Sequence, residues 1–317
     1  MGYAKRVVAV LDIGSNSVLM LLAEREDGSW RFVYDGAQIT RLGEGFEPSH
    51  LLQPTAIERT VQAVQEFGHT ARTHRVRQVV VLMTAVVREA KNPNALLEPL
   101  REELTSWSAP IKWRTLSEQE EAELSYLSVA HDDTLPISFP LAVVDIGGGS
   151  VEVAFGELEP PPNQWGEIDF YRSFPIGAVR VREQKMPADP PSTAEVLNCC
   201  KWLDGVLEPL QELAQPSTTV LVGGTGVNLG MLALELEAFE PHKVHGLKLT
   251  DEQIAQILHH LLQLSDAERS ALKGIEPARA PILHVGTLVL ERVLFALRQE
   301  QVWISTRGIR YGGLYTL

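Results

Sequence analysis

Apolar positions run along the chain with two periods. Residues 7–11 and 141–144 are unbroken apolar runs rich in Val and Ala, and each leads to an acidic residue, Asp12 or Asp145. Small and hydroxyl-bearing residues follow, Gly14-Ser15-Asn16-Ser17 after Ile13 and Gly147-Gly148-Gly149-Ser150 after Ile146, and then a second apolar run, 18–23 or 151–155. Runs of this length bounded by glycine predict a strand, a tight turn and a returning strand in each case. Between the two copies the period becomes helical. Ile57, Val61, Val64 and Phe67 predict a helix over 51–75, with Pro54 near its start. It feeds a buried strand at 76–83, followed by a helix at 93–106, a strand at 111–116 and a helix at 117–129.

The second half repeats this order. A strand at 170–175, a helix at 192–213 and a strand at 219–222 lead into a third glycine turn, Gly223-Gly224-Thr225-Gly226. Thr250-Asp251-Glu252-Gln253 has the spacing of a capping box and opens a helix to 264. A long helix at 282–298 and a strand at 302–305 close the pattern. Glu26-Asp27-Gly28 reads as a hairpin turn before a strand at 30–34, and the proline-rich residues 157–166 read as an exposed hairpin tip. The sequence therefore predicts an α/β protein of two duplicated units, 1–132 and 133–317, divided at a polar stretch that ends in Pro136. A length of 317 residues fits two cores better than one.

Composition narrows the ligand more than the fold. An apolar content of 44% and a charged content of 22% are ordinary for a globular protein. The net charge of −13 argues against a nucleic-acid partner and against a polybasic membrane contact. The two cysteines, Cys199 and Cys200, are adjacent in a predicted helix, where neighbours diverge by about 100°, so they are expected to be buried thiols in a reducing compartment. The N-terminal apolar run is short and is interrupted by Asp12, so neither a signal peptide nor a membrane span is expected and the predicted location is cytoplasmic.

The turns carry the chemistry. Glycine lets backbone N–H groups approach an anion, and hydroxyls add donors, so Gly14, Ser15, Asn16, Ser17, Gly147, Gly148, Gly149, Ser150, Gly224 and Thr225 are candidate phosphate-binding residues. An Asp at a strand end can hold a hydrated divalent cation, which makes Asp12 and Asp145 candidate metal ligands. Two such turns in matching units, with a third after them, describe an actin-like architecture: two ribonuclease H-like domains with a ligand cleft between them.

Within that architecture the series Asp12-Ile13-Gly14-Ser15-Asn16-Ser17, residues 84–92, Leu116-Ser117-Glu118-Gln119-Glu120-Glu121-Ala122, Asp145 to Glu152, Pro175-Ile176-Gly177-Ala178-Val179-Arg180, Gly224-Thr225 and Arg307-Gly308-Ile309-Arg310 resembles, in order, the exopolyphosphatase and guanosine pentaphosphate phosphohydrolase (Ppx/GppA) family in its short two-domain form. The resemblance implies Mg²⁺-dependent hydrolysis of the terminal phosphoanhydride of inorganic polyphosphate. It makes Glu121 the carboxylate that activates water, with Glu120 the neighbour most easily mistaken for it. It makes Glu152 a second catalytic carboxylate that holds Mg²⁺ with Asp145, and Asp12 a contributor from the other unit. It places Arg88 on phosphate and offers Arg180, Arg307 and Arg310 as further contacts for the polyanion. His259, His260 and His284 lack ligand spacing and are expected on helix surface or in the core.

Four positions depart from the family pattern: Leu19 replaces a basic residue, Ala85 and Val151 replace hydroxyls, and Pro281 replaces an acidic residue. Their loss bears more on guanosine pentaphosphate (pppGpp) than on a simple polyphosphate end. Hydrolysis of pppGpp is the alternative activity, and a non-catalytic module that binds pppGpp or ppGpp is the alternative outside enzymes. A sugar or acetate kinase is disfavoured because the second half carries no adenosine-binding signature. The family also suggests a homodimer.

Overall fold

The computed structural model of the chain describes residues 6–26, 29–46, 49–160 and 168–317. Residues 27–28 of the expected hairpin turn and residues 161–167 of the proline-rich insertion lie outside the described residues. The chain divides into two compact units, one of residues 1–124 with 309–317 and the other of residues 125–308.

In the first unit β1 (Arg6–Ile13), β2 (Ser17–Glu26) and β3 (Ser29–Ile39) form an antiparallel meander. Helix α1 (Pro54–Thr73) then returns the chain to β4 (Gln78–Met83), which lies parallel to β1. A single turn of helix, α2 (Ala85–Arg88), and α3 (Asn94–Thr105) lead to β5 (Ile111–Thr115), giving the order β3-β2-β1-β4-β5. The central strands are apolar on both faces because both faces are covered. Val7, Ala9, Leu11, Val79 and Val81 pack with Phe67, Leu96 and Leu100 of α1 and α3. Val8, Val10, Val80 and Leu82 point the other way, as the period of two requires, and pack with Leu116, Leu124, Ile309 and Leu314.

Helix α4 (Glu118–Ala130) carries the chain into the second unit. There β6 (Leu141–Ile146), β7 (Val151–Gly156) and β8 (Phe170–Phe174) repeat the antiparallel meander. After α5 (Ala178–Lys185), α6 (Thr193–Val206) and a short 3₁₀ segment (Glu208–Glu212), β9 (Thr218–Val222) lies parallel to β6. Helices α7 (Gly223–Ala233) and α8 (Pro241–Val244) follow, then β10 (Lys248–Thr250), α9 (Asp251–Gln263), α10 (Asp266–Ser270) and α11 (Ala280–Leu297). The last strand, β11 (Gln301–Ile304), completes the order β10-β11-β9-β6-β7-β8. Without β10 this is the topology of the first sheet, so the duplication read from two turns extends to the whole meander and its parallel neighbours. Helix α11 is long and apolar enough by composition to cross a membrane, but 72% of it is buried inside the second unit, where it is the central core helix.

The structure differs from expectation in four places. The division falls inside α4, between residues 124 and 125, rather than at 132/133. Residues 309–317 rejoin the first unit instead of ending the second, through α12 (Ile309–Tyr315), a helix that its mixed sequence did not announce. The glycines at 223–226 form no separate turn; they are the first residues of α7, and Gly223 adopts φ +81°. The expected helix at 192–213 breaks at Leu207, where the 3₁₀ segment with Pro209 begins.

Helix α12 is tied to its unit by an ion pair whose guanidinium is buried and by a close backbone approach. Arg310 donates from Nε and Nη2 to the two carboxylate oxygens of Asp35 at 2.9 and 2.8 Å, and the Tyr311 hydroxyl donates to the same carboxylate at 2.9 Å. A bidentate pair of this kind satisfies a buried guanidinium. Gly312 lies so close to the carbonyl of Leu124 that an added Cβ would collide with backbone. Replacing Gly312 with Ala should therefore lower the free energy of unfolding by about 2–3 kcal/mol, measured by urea denaturation. An unchanged midpoint would show that this approach is not tight.

Candidate active site

Each glycine turn is closed by the same bond. The amide of Gly14 donates to the carbonyl of Ser17 at 3.0 Å, and the amide of Gly147 donates to the carbonyl of Ser150 at 3.0 Å. Further turn carbonyls are held from behind. In the first unit the carbonyl of Asn16 accepts from the amides of Thr40 and Arg41, each at 2.9 Å, and that of Ser15 accepts from Gly43 at 2.8 Å. In the second, the amides of Gly177, Ala178, Val179 and Arg180 at the start of α5 donate to the carbonyls of Gly149, Gly147 and Gly148 over 2.9–3.2 Å. The orphan donors of a helix N-terminus are thus spent on bracing the turn. Among the described residues the amides of Ser15, Asn16, Gly148 and Gly149 make no backbone hydrogen bond, as a phosphate cradle requires. Gly177 permits the bracing, since a Cβ there would overlap the backbone of Gly148 and Ser150.

Hydroxyls fix the residue before each turn. Thr84 Oγ1 donates to the carbonyl of Ile13 at 3.4 Å, and Thr225 Oγ1 donates to that of Ile146 at 2.8 Å. Thr225 is buried, so its hydroxyl is committed to the turn and does not face a ligand. What Thr225 and Gly224 retain for an anion is the N-terminal amides of α7. The guanidinium of Arg279 packs on Gly224 where a side chain would otherwise stand, adding a cation beside these amides that the sequence pattern did not single out.

Asp145 and Glu152 face each other directly across β6 and β7, so their side chains share one face of the sheet. The Asp145 carboxylate lies against Gly223, whose missing Cβ leaves it room, and Glu152 accepts from Ser173 Oγ at 2.8 Å. Among the described residues no group of three His, Cys, Asp or Glu side chains is placed to hold a metal. The Asp145–Glu152 pair suits Mg²⁺, which takes one or two carboxylates and fills its sphere with water and phosphate oxygens.

Asp12 is a different case. It is 8% exposed at the end of β1, and burial pushes its carboxyl up to about 7 against the opposing effect of Arg310. Arg310 is itself buried and spent on Asp35, so it is not a contact for a polyanion. Arg307 pairs with Asp132 at 2.8 Å within the second unit, and Arg180 is exposed at the start of α5. His284 is fully buried, with burial lowering its pKa to about 3, while His259 and His260 lie exposed on α9.

Glu121 and Glu120 separate by geometry. Ser117 caps α4: the amide of Glu120 donates to Ser117 Oγ at 3.2 Å, and the amide of Ser117 donates to Glu120 Oε2 at 2.8 Å. Glu120 also accepts from Arg114 at 2.7 Å. Burial raises its pKa, but the bonds from Ser117 and Arg114 outweigh this and hold it below the usual range. Glu120 is therefore a capping residue. Glu121, one residue on, instead pairs with Arg88 Nη1, which also donates to the carbonyl of Leu116 at 2.6 Å. Two of the expected site residues thus meet in the first unit, both partly buried.

A sequence profile of the Ppx/GppA phosphatase family matches residues 21–317. The chain belongs to the Ppx/GppA phosphatase family. It is 28% identical over 318 residues to exopolyphosphatase 2 of Mycobacterium tuberculosis, covering 96% of each chain. It is also 28% identical over 316 residues to exopolyphosphatase 1 of Mycobacterium bovis, covering 96% of this chain and 86% of that one. The solved structure of the Aquifex aeolicus PPX-GPPA enzyme matches 99% of this chain and 100% of its own at 30% identity and a TM-score of 0.85. As a member of the Ppx/GppA phosphatase family, the chain is a phosphoanhydride hydrolase with the two-domain actin-like fold.

Asp12 yields a pH prediction. A carboxyl whose folded pKa is raised from 3.8 to about 7 binds more protons folded than unfolded between those values, so its contribution to stability falls as pH rises from about 4 to about 7. Asp12→Asn removes this term. The stability of Asp12→Asn relative to the parent should increase across that interval by a few kcal/mol and level off above it, measured by denaturant unfolding at a series of pH values.

Proposed function

We propose that this Ppx/GppA phosphatase family member is a Mg²⁺-dependent exopolyphosphatase that removes the terminal phosphate of inorganic polyphosphate as orthophosphate. The observation that carries the reading is the state of Glu121: a carboxylate at the start of α4, excluded from the capping box by Glu120 and paired with Arg88. Names given to the M. tuberculosis and M. bovis relatives supply the substrate class.

Glu121 orients a water molecule and takes its proton as the oxygen attacks the terminal phosphorus. The bond from that phosphorus to the bridging oxygen breaks, and its electron pair leaves with the shortened chain. Arg88 has a forked guanidinium suited to two phosphate oxygens, so on substrate binding it exchanges part of its bond to Glu121 for the terminal phosphate, which frees the carboxylate for water. The amides of Ser15, Asn16, Gly148 and Gly149, the hydroxyls of Ser17 and Ser150 and the α7 amides at Gly224 and Thr225 hold the oxygens of the chain. Asp145 and Glu152 would hold the cation, which when bound would supply neutralising charge to the phosphate oxygens.

Phosphate release is the test. Long-chain polyphosphate with Mg²⁺ should give orthophosphate, chelation of the metal should stop it, and pppGpp should be the poorer substrate. Arg88→Ala should lower kcat/KM by about 10²-fold. Equal rates with and without chelator, or faster turnover of pppGpp, would contradict the reading.

A further inference from the structure

The face of the first sheet that packs against α12 does not stay apolar to its end. Across β1, β2 and β4 this face carries Val8 and Val10, Leu21 and Ala23, Val80 and Leu82, all buried. Following the same period of two toward the start of β1 and its neighbours, the next positions are Arg6, Arg25, Gln78 and Lys112. The register supports the alignment: Arg6 is paired with Arg25, Val8 with Gln78, and Val80 with Lys112. Arg77, the residue before β4, adds a third basic side chain beside Arg6 and Lys112. Those three and Gln78 line one shallow depression of about 290 Å³.

This end of the sheet is opposite to the one that bears the glycine turn. Six residues of strand separate Arg6 from Asp12, or about 20 Å. Like charges placed opposite each other, as Arg6 and Arg25 are, weaken a strand pair. The side chains are exposed, and Arg6 donates to Gln78 Oε1 at 2.6 Å, a neutral partner. Among the described residues no carboxylate pairs with Arg6, Arg77 or Lys112. In a chain of net charge −13, a basic cluster bordered by a neutral amide is a local reversal of the overall field.

We propose that Arg6, Arg77 and Lys112 form an accessory anion site that takes phosphate groups of a polyphosphate chain away from the reacting end. The ligand class follows from the donors, which are three separated cations on a shallow, open surface. They suit a flexible linear polyanion better than a compact one, and each contact is individually weak. Their value lies in raising the local concentration of a chain already held elsewhere. The identification of that chain rests on the exopolyphosphatase reading; the presence of an anion site does not.

The test compares the parent with the triple variant Arg6→Ser/Arg77→Ser/Lys112→Ser, all at exposed positions, after equal unfolding midpoints confirm folding. KM for long-chain polyphosphate should rise roughly tenfold at low salt, the difference should shrink as salt is added, and both kcat and the KM for tripolyphosphate should be unchanged. Unchanged KM for the long chain, or an equal loss for tripolyphosphate, would overturn the proposal. If the parent hydrolyses no polyphosphate, the exopolyphosphatase reading fails by itself. The site is then judged by titrating tripolyphosphate into isotopically labelled protein. Shifts at the amides of Arg6, Arg77 and Lys112 that the triple variant lacks would sustain an anion site, and no shift there would overturn it.

Discussion

Most of the carbonyl groups of the two glycine turns are held by hydrogen bonds from behind, and the candidate site depends on that constraint. A tight turn of small residues has as many acceptors as donors, and an anion tolerates only the donors. In both units the acceptors are removed by hydrogen bonds from a neighbouring segment: the loop after β3 in the first, and the start of α5 in the second. Nothing in the glycines themselves dictates this. It follows from the meander, which returns the third strand to the level of the turn each time. The bracing explains why Gly177 has no side chain, while the hydroxyls of Thr84 and Thr225 separately hold the carbonyls of Ile13 and Ile146 just before each turn.

The duplication is one of scaffold and not of chemistry. The second turn has two carboxylates on one sheet face, whereas the first has a single buried Asp12 whose pKa lies at about 7. Asp12 is thus a poor partner for a cation at neutral pH unless binding itself drives off the proton. The first unit contributes instead the Arg88–Glu121 pair, built from the segment after β4 and the first turn of α4. The proposal thus assigns the cation to carboxylates of the second unit and the activation of water to a carboxylate of the first.

What the sequence made legible was local. The strands before and after each turn, helix α1 and the capping box at Thr250 need only nearby residues. The choice between Glu120 and Glu121 rested on the family resemblance; the structure adds that Glu120 is the partner of Ser117 in the cap, while Glu121 pairs with Arg88. What could not be read depended on residues distant in the chain. Arg310 was grouped with phosphate ligands because its partner, Asp35, lies 275 positions away. The acceptor of the Thr225 hydroxyl, the carbonyl of Ile146, lies 79 positions back and is invisible in the local pattern of the turn. Helix α12 returns to the first unit through contacts with β1, β2 and Leu124 that no composition shift announces.

We propose that Glu121 performs the chemistry while Glu120 holds the helix that presents it. The most direct measurement is a paired comparison of Glu121→Gln and Glu120→Gln, following orthophosphate release, polyphosphate binding and the unfolding midpoint on the same preparations. Glu121→Gln should lose phosphate release while still binding polyphosphate and unfolding at nearly the parental midpoint. Glu120→Gln should keep turnover within a small factor and lose about 0.5–1 kcal/mol of stability. Full turnover in Glu121→Gln, or its loss only in Glu120→Gln, would contradict the assignment.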